Sequence, residues 1–413
     1  MAAKQVLVLG GGFAGLWSAV GAARTLDEVG LSPDAVAVTL VNRDAYHAIR
    51  VRNYEADLCE VRVPLDDVLA PIDVRRVEGD VVAVDFLAQQ VTIQSSADAE
   101  VLLSYDRLVV AVGSQLVRPP LPGLAEYAFD VDTFAGAERL QRHLHALPAQ
   151  AATLGQFAVV VVGAGLTGIE VACEMTARLP ALLADGKQSR PFRVILADHN
   201  PRIGSDMGDS ARPVIEEALT SLGIETRPGV SIASISASGV TLASGEEISA
   251  ATVIWCAGMR AHPLTRLFPV ERDQVGRLPV DEFLRVQGIA NVFAAGDVAA
   301  ARFSDGHTSV MSCQHGRPMG RFAGHNVVCD LLGLPMLPLD IPWYVTVLDL
   351  GPWGALYTEG WDRHVVTQGA AAKRTKQSIN CQRIYPPRSG NRAEILAAAA
   401  PTVQRPPATY RPR

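Results

Sequence analysis

The chain has 413 residues, room for two domains and a smaller third, and at 48% hydrophobic and 19% charged it can bury large cores. No run of about 18 uncharged apolar residues occurs, which excludes a transmembrane helix, and six scattered cysteines without CxxC or ligand spacing exclude a metal site and a disulfide redox pair. The net charge of −6 is uneven: from Arg363 onward ten Arg or Lys face a single acid, Glu394.

In chain order, MAAKQ leads straight into an apolar strand, leaving no room for a signal peptide. VLVLGGGFAG then sets Gly10, Gly12 and Gly15 in GxGxxG spacing before a helix expected from Ala14 to about Leu26. The first glycine allows the tight turn and the second lets backbone approach a pyrophosphate. The third lets helix pack on strand, and Phe13 and Ala14 sit at the helix N-terminus, where free N–H groups face phosphate. The next strand, AVAVTLVN, ends at Asn42-Arg43, where an acid is usual. Asn42 can still bond ribose hydroxyls, and Arg43 can reach adenine or phosphate. An irregular stretch with Tyr46, His47 and Arg50 follows, then strands VVAVDF and VTIQ. The strand YDRLVVAVGS ends at Gly113, and VRPPLPGL is a proline-rich hinge.

A second unit repeats the first. A helix is expected near 134–147, then VVVVGAGLTG places Gly163, Gly165 and Gly168 in the same spacing, with Leu166 and Thr167 opening a helix to about Arg178. FRVILAD ends at Asp198, whose carboxylate suits free ribose hydroxyls and repels a 2′-phosphate, so NADH is favoured over NADPH. A helix near 210–222 and the strand ATVIWCAGM, ending at Gly258, complete this unit. Two such turns in one chain argue for two dinucleotides held at once, a flavin and a nicotinamide. NVFAAGDVA, closing on Gly296-Asp297, separates this arrangement from a duplicated dehydrogenase, because its Asp suits a flavin's ribityl chain. The segment 311–320 opens a further helix, written as Pro318 to Leu332, whose dipole would stabilise an anionic reduced flavin. Beyond Leu339 alternating runs such as WYVTVLDL and GALYTEG predict a small antiparallel module, and PTVQRPPATYRPR a mobile end.

The fold class is therefore α/β, with two Rossmann-like dinucleotide-binding domains and a small C-terminal α+β module. The boundaries are 1–118 and 263–338 for the FAD domain, 119–262 for the NAD domain and 339–413 for the module. Glu170, in the first turn of the second unit's helix, complements the helix dipole, or holds the nicotinamide amide or relays a proton; Glu174 lies one turn on. Cys313, His315 and His325 read as packing residues or as flavin neighbours. Lys373 and Lys376 read as a solvated face, or as one lysine turned toward the flavin carbonyls.

The order GGGFAG, YDRLVVAVGS, GLTGIEVACE, IWCAGM, VFAAGDVA resembles the type II NADH:quinone oxidoreductase family over nearly the whole chain, most specifically at GLTGIEVACE. The resemblance implies FAD on the first turn, NADH on the second, Glu170 in the catalytic carboxylate's place and Val81 as a backbone contact to adenine. The family's quinone-side AQxAxQ pattern appears here as Cys313-Gln314-His315-Gly316-Arg317-Pro318, keeping Gln314 and replacing the second glutamine with Pro318. The family's membrane-binding amphipathic helices are not visible; AEILAAAA offers too little apolar area. The leading expectation is electron transfer from NADH through FAD to a quinone or similar acceptor. The alternatives are a flavoenzyme acting on a specialised metabolite and an FAD- and NADH-binding sensor. Nucleic acid is not expected, because the basic tail lacks interleaved aromatics. That tail reads as solvated, as contacting a second subunit of a homodimer, or as touching an anionic membrane surface, in a cytoplasmic protein with at most peripheral contact at the inner membrane face.

Overall fold

Strands Val292–Ala294, Arg107–Val110, Lys4–Leu9, Val36–Asn42 and Arg75–Glu78 stand side by side in that order in a parallel sheet. A second parallel sheet repeats it with Ala128–Phe129, Thr252–Trp255, Ala158–Val162, Arg193–Ala197 and Glu225–Arg227. The computed structural model describes residues 3–95, 99–185 and 190–405. Runs such as VLVL and AVVVV carry almost no polar residues because strands of a parallel sheet are covered on both faces, and Val6–Leu9 and Ala158–Val162 are buried accordingly.

In each sheet one outer strand comes from beyond its own continuous unit: Val292–Ala294 joins the first sheet from after the second, and Ala128–Phe129 joins the second before its glycine turn. The two passages between sheets run together, strand Ser114–Leu116 pairing antiparallel with Met259–Ala261. The hinge read at VRPPLPGL follows the first of these. Each unit also carries a three-stranded antiparallel ribbon, Asp80–Asp85 with Gln90–Gln94 and Glu100–Ser104, and Ile232–Ser236 with Gly239–Leu242 and Glu247–Ser249.

The helix after the first turn, Phe13–Glu28, packs lengthwise on the Cys313–Leu332 helix. The latter begins five residues before the proline from which it was read, because Ser312 caps it: the side chain accepts from the His315 N–H. Pro318 therefore lies inside the helix, and having no N–H it leaves the Gln314 carbonyl without its helical partner. The Leu166–Asp185 helix likewise runs past Arg178 and through Pro180.

The C-terminal module is the antiparallel sheet Val345–Asp349, Ala355–Glu359, His364–Gln368 followed by the Gly369–Ser378 helix. The chain then returns to the first unit, where the short Arg392–Ala398 helix buries Ile395 and Leu396 against the core around Phe13–Glu28. The end of the tail read as mobile, residues 406–413, lies outside the described residues. Among the described residues no helix is long and apolar enough to cross a membrane.

Candidate active site

The two glycine turns have matching backbones. Gly10 and Gly163 adopt φ of 102° and 104°, a region closed to most side chains. A Cβ on Gly15 would overlap the Gly10 carbonyl, and one on Gly168 the Gly163 carbonyl, so the third glycine of each turn is where helix meets strand. A Cβ on Gly12 or Gly165 would meet nothing within 4 Å. At these two positions the backbone faces open space, which is the room a pyrophosphate needs.

Asn42 and Asp198 occupy equivalent places and both serve their turn. The Gly11 N–H donates to Asn42 Oδ1 at 2.8 Å, and the Ala164 N–H donates to Asp198 Oδ2. The Asn42 amide nitrogen donates to the Asp44 carbonyl at 3.0 Å, and Asp198 Oδ1 accepts from the Asn200 N–H at 2.7 Å. Both side chains thus stabilise their turns, a task that an amide oxygen meets as well as a carboxylate does. Arg43, exposed, pairs with Asp80 at 3.0 Å.

A cleft of about 1080 Å³ runs between the sheets. It is lined by Gly10, Gly12, Phe13 and Ala14 from the first turn, by Asn42, Arg43, Val81 and Gly113, and by Gly296 and Asp297. Leu166, Thr167 and Glu170 reach it from the second unit, Cys313 and Gln314 from the helix they open, and Lys376 from the C-terminal module. Gly15 and Gly168 are not on its wall, being packed against their strands, and Gly163, Gly165, Asp198 and Gly258 are not on it either. The second turn is thus separate from the main cleft, and only its helix N-terminus enters.

Glu170 is buried, and its Oε1 accepts from Lys376 Nζ at 2.7 Å and from the Asp349 N–H at 3.0 Å. Lys376 also donates to the Val347 carbonyl at 3.0 Å. Burial raises the Glu170 carboxyl while Lys376 opposes the rise, and Lys376 itself is held protonated by Glu170 against its own burial. Beside this pair Asp349 accepts from Lys373 at 2.5 Å and from the Tyr54 hydroxyl at 3.2 Å. Both lysines therefore turn inward, and Lys376 reaches the cleft wall through a carboxylate partner. Asp349 and Tyr54 were not legible in the sequence; no motif marks them, and the chain separates them by 295 positions.

Asp297 accepts from the Ser114 hydroxyl at 2.6 Å, Ser114 accepts from Arg50 at 3.0 Å, and Arg50 is ion-paired with Asp132. Burial raises the Asp297 carboxyl. His47 Nδ1 donates to the Gly11 carbonyl at 2.9 Å and its ring stands edge-on to Phe13; burial pushes it down to about 4. His315 is a packed histidine whose Nδ1 accepts from the Val310 N–H at 2.9 Å, and burial takes it also to about 4. The Cys313 thiol is pushed up by burial. The buried amide nitrogen of Gln314 has no hydrogen-bond partner among the described residues. Among the described residues no cluster of His, Cys, Asp or Glu could hold a metal ion, and the six cysteines are free.

Two matching glycine turns, two parallel sheets and a cleft that the second unit's helix N-terminus enters are the architecture of a two-dinucleotide oxidoreductase. Residues 4–320 match the family model of pyridine nucleotide-disulphide oxidoreductases, and the chain belongs to that family. It is 61% identical over 400 residues to an NADH dehydrogenase-like protein of Mycobacterium tuberculosis, covering 97% of this chain and 99% of that one. It is 28% identical to the demethylphylloquinone reductase of Synechocystis over 86% of each chain. It is also 28% identical to the type II NADH:quinone oxidoreductase of Staphylococcus haemolyticus, over 72% of this chain and 75% of that one. The fold matches the structure of NDH2 from Plasmodium falciparum in complex with NADH, with a TM-score of 0.77, 14% identity and coverage of 96% and 97%. The chain is thus an NADH dehydrogenase-like flavoprotein oxidoreductase.

Proposed function

We propose that this chain holds FAD on the Gly10–Gly15 turn and NADH on the Gly163–Gly168 turn, and passes electrons to a quinone or similar small acceptor: NADH + H⁺ + quinone → NAD⁺ + hydroquinone. The observation that carries the proposal is the single cleft joining the first turn and Asp297 to Leu166, Thr167 and Glu170. When bound, the flavin supplies hydride acceptance and two-electron return. The open backbone at Gly12 seats its pyrophosphate, Asp297 takes the ribityl hydroxyls, and Val81 offers backbone to the adenine. Glu170 has its Oε1 committed to Lys376 and the Asp349 N–H, so Oε2 is the oxygen that orients the nicotinamide amide or moves a proton. Asp198 places negative charge near the nicotinamide dinucleotide's ribose and favours NADH over NADPH. The Gln314 amide, unpartnered on the cleft wall, suits a carbonyl of the flavin or acceptor.

A second reading has the same flavin chemistry acting on a specialised metabolite. Pro318 stands where the type II pattern has its second glutamine, and the C-terminal helix spends Ile395 and Leu396 on the protein's own core. That favours a cytoplasmic chain with at most peripheral membrane contact. Anaerobic stopped-flow spectroscopy tests the proposal. The purified protein should be yellow, bleach with NADH faster than with NADPH, and recolour rapidly with a soluble naphthoquinone. A protein that takes up no FAD, or a bound flavin that NADH fails to bleach, overturns it, and recolouring that is slow with quinone selects the second reading.

A further inference from the structure

Among the described residues, two cations in the Cys313–Leu332 helix have no anionic partner. Arg317 and Arg321 lie one turn apart on one face, 8% and 2% exposed, and the Nε of each is buried without a hydrogen-bond partner. Lys373 and Lys376 each have a carboxylate within ion-pair distance. What the two arginines touch instead is the Trp17 ring, at 5.7 Å and 4.5 Å, and the Trp17 Nε1–H is itself buried with no acceptor. Arg383 adds further positive charge nearby, and burial with these neighbours brings Arg317 down to about 10 and Arg321 to about 9, leaving both protonated at neutral pH.

The group stands behind the Cys313 side of the cleft, whose wall Arg317, Arg321 and Trp17 do not themselves line. Arg317 follows Cys313 by one helical turn, and Cys313, Gln314 and Asn380 line the cleft in front of it. The amide nitrogens of Gln314 and Asn380 are buried without acceptors as well. The unsatisfied groups named here are N–H donors, and the unpartnered Thr346 hydroxyl on the cleft wall can donate as well. A buried cation without a partner carries a large desolvation cost that an apolar side chain of similar volume would not, so retaining two of them is expected where an anion pairs with them in the working complex. A guanidinium fork matches a carboxylate through two parallel hydrogen bonds.

We propose that Arg317 and Arg321, beside Trp17, bind the carboxylate of an acid-bearing acceptor, so that the acceptor is an anionic quinone-class ring rather than a neutral, lipid-tailed one. The inference rests on the acceptor reading above and names its substrate class. The acid group is bound unchanged; the ring takes two electrons and two protons, a hydride equivalent from NADH and one proton, and becomes the hydroquinone.

The test uses the FAD-loaded protein and two readouts. First, 2-naphthoate, which is not reducible here, is titrated calorimetrically into wild type, Arg317→Met and Arg321→Met. Its affinity is expected to fall at least about tenfold in each variant, the worth of one charge-assisted hydrogen bond. Second, NADH oxidation is measured with a naphthoquinone carrying a short carboxyalkyl chain and with its methyl ester. The acid-to-ester ratio of kcat/KM should favour the acid in wild type and drop by a similar factor in both variants, with partial recovery in Arg321→Lys. Removing an unpaired buried charge should hold or raise Tm, which separates lost binding from lost folding. Equal use of acid and ester by wild type, unchanged naphthoate affinity in both variants, or inorganic phosphate binding as tightly as naphthoate in the same titration overturns the assignment. Arginine-dependent naphthoate binding in a protein whose flavin NADH does not bleach would instead retain the site and remove the acceptor reading.

Discussion

Burial raises the Glu170 carboxyl, and Lys376, 2.7 Å from Oε1, opposes that rise, so its protonation depends in part on a residue 206 positions away. The ionised form is present above the carboxyl's pKa and lost as pH falls through it. If the carboxylate orients nicotinamide, flavin bleaching by NADH should decline on the acid side. In Lys376→Met the countercharge is gone, and that limb should move to higher pH. In Glu170→Gln the limb should vanish, with the rate down by roughly tenfold to a hundredfold at every pH and FAD still bound. Stopped-flow bleaching from about pH 5 to 9 reads both; a limb that persists in Glu170→Gln assigns it to another group. At this scale the sequence marked Glu170 through its place after the second glycine turn. It could not distinguish a lysine facing solvent from one facing Glu170, because no periodicity in GAAAKRTKQS says which side the module covers.

At the scale of elements, glycines report two different contacts. A Cβ on Gly324 would run into the Ser18 carbonyl and one on Gly320 into that of Ala14, so the Phe13–Glu28 and Cys313–Leu332 helices touch backbone to backbone there. Gly324→Val should cost about 1–3 kcal/mol or more by overpacking, read as a fall in Tm of the FAD-free protein. Gly12→Ala should leave that Tm unchanged, because its Cβ meets nothing within 4 Å and its φ of −71° suits alanine, yet FAD affinity should drop as the methyl takes phosphate space. An unchanged Gly12→Ala affinity would remove the pyrophosphate from this turn. The strands and helices around both turns were legible in the sequence, since apolar runs and glycine spacing are local signals. The start of the Cys313–Leu332 helix was hidden by Pro318, which reads as a first-turn residue and is tolerated one turn further in.

Across the whole molecule the basic end of the chain is tied to the acidic body. Arg392 pairs with Asp27 at 3.0 Å and Asp73 at 2.8 Å, and the Tyr385 hydroxyl donates to the Glu60 carbonyl at 2.6 Å. Exposed pairs of this kind contribute little each, so anchoring rests more on buried Ile395 and Leu396. Overall stability should carry an acid signature from two buried histidines. His47 and His315 sit at about 4 in the folded protein against 6.5 for a free imidazole. Above pH 6.5 neither state binds these protons. Between 6.5 and about 4 the unfolded chain takes up protons that the fold refuses, and stability falls by about 3 kcal/mol per histidine before levelling. Urea midpoints over this window should decline less steeply in His315→Leu than in wild type; parallel slopes would mean that His315 titrates normally when folded.

Two glycine turns of one geometry, the strand-Gly-Asp element between them and the module, and the parallel-sheet class followed from the sequence alone. These features are written in neighbouring residues: a glycine pattern states which backbone angles and which close approach a turn needs, whatever surrounds it. The tertiary structure alone decided the partners of charged side chains. It set Lys376 on Glu170, turned Asn42 and Asp198 toward their own glycine turns, tied Arg392 to the body, and left Arg317 and Arg321 with an aromatic ring and, among the described residues, no acid. Those outcomes depend on how two sheets, a returning helix and a C-terminal module pack across long separations. A buried charge is matched by whatever that packing brings within a few ångströms, and no local pattern encodes it.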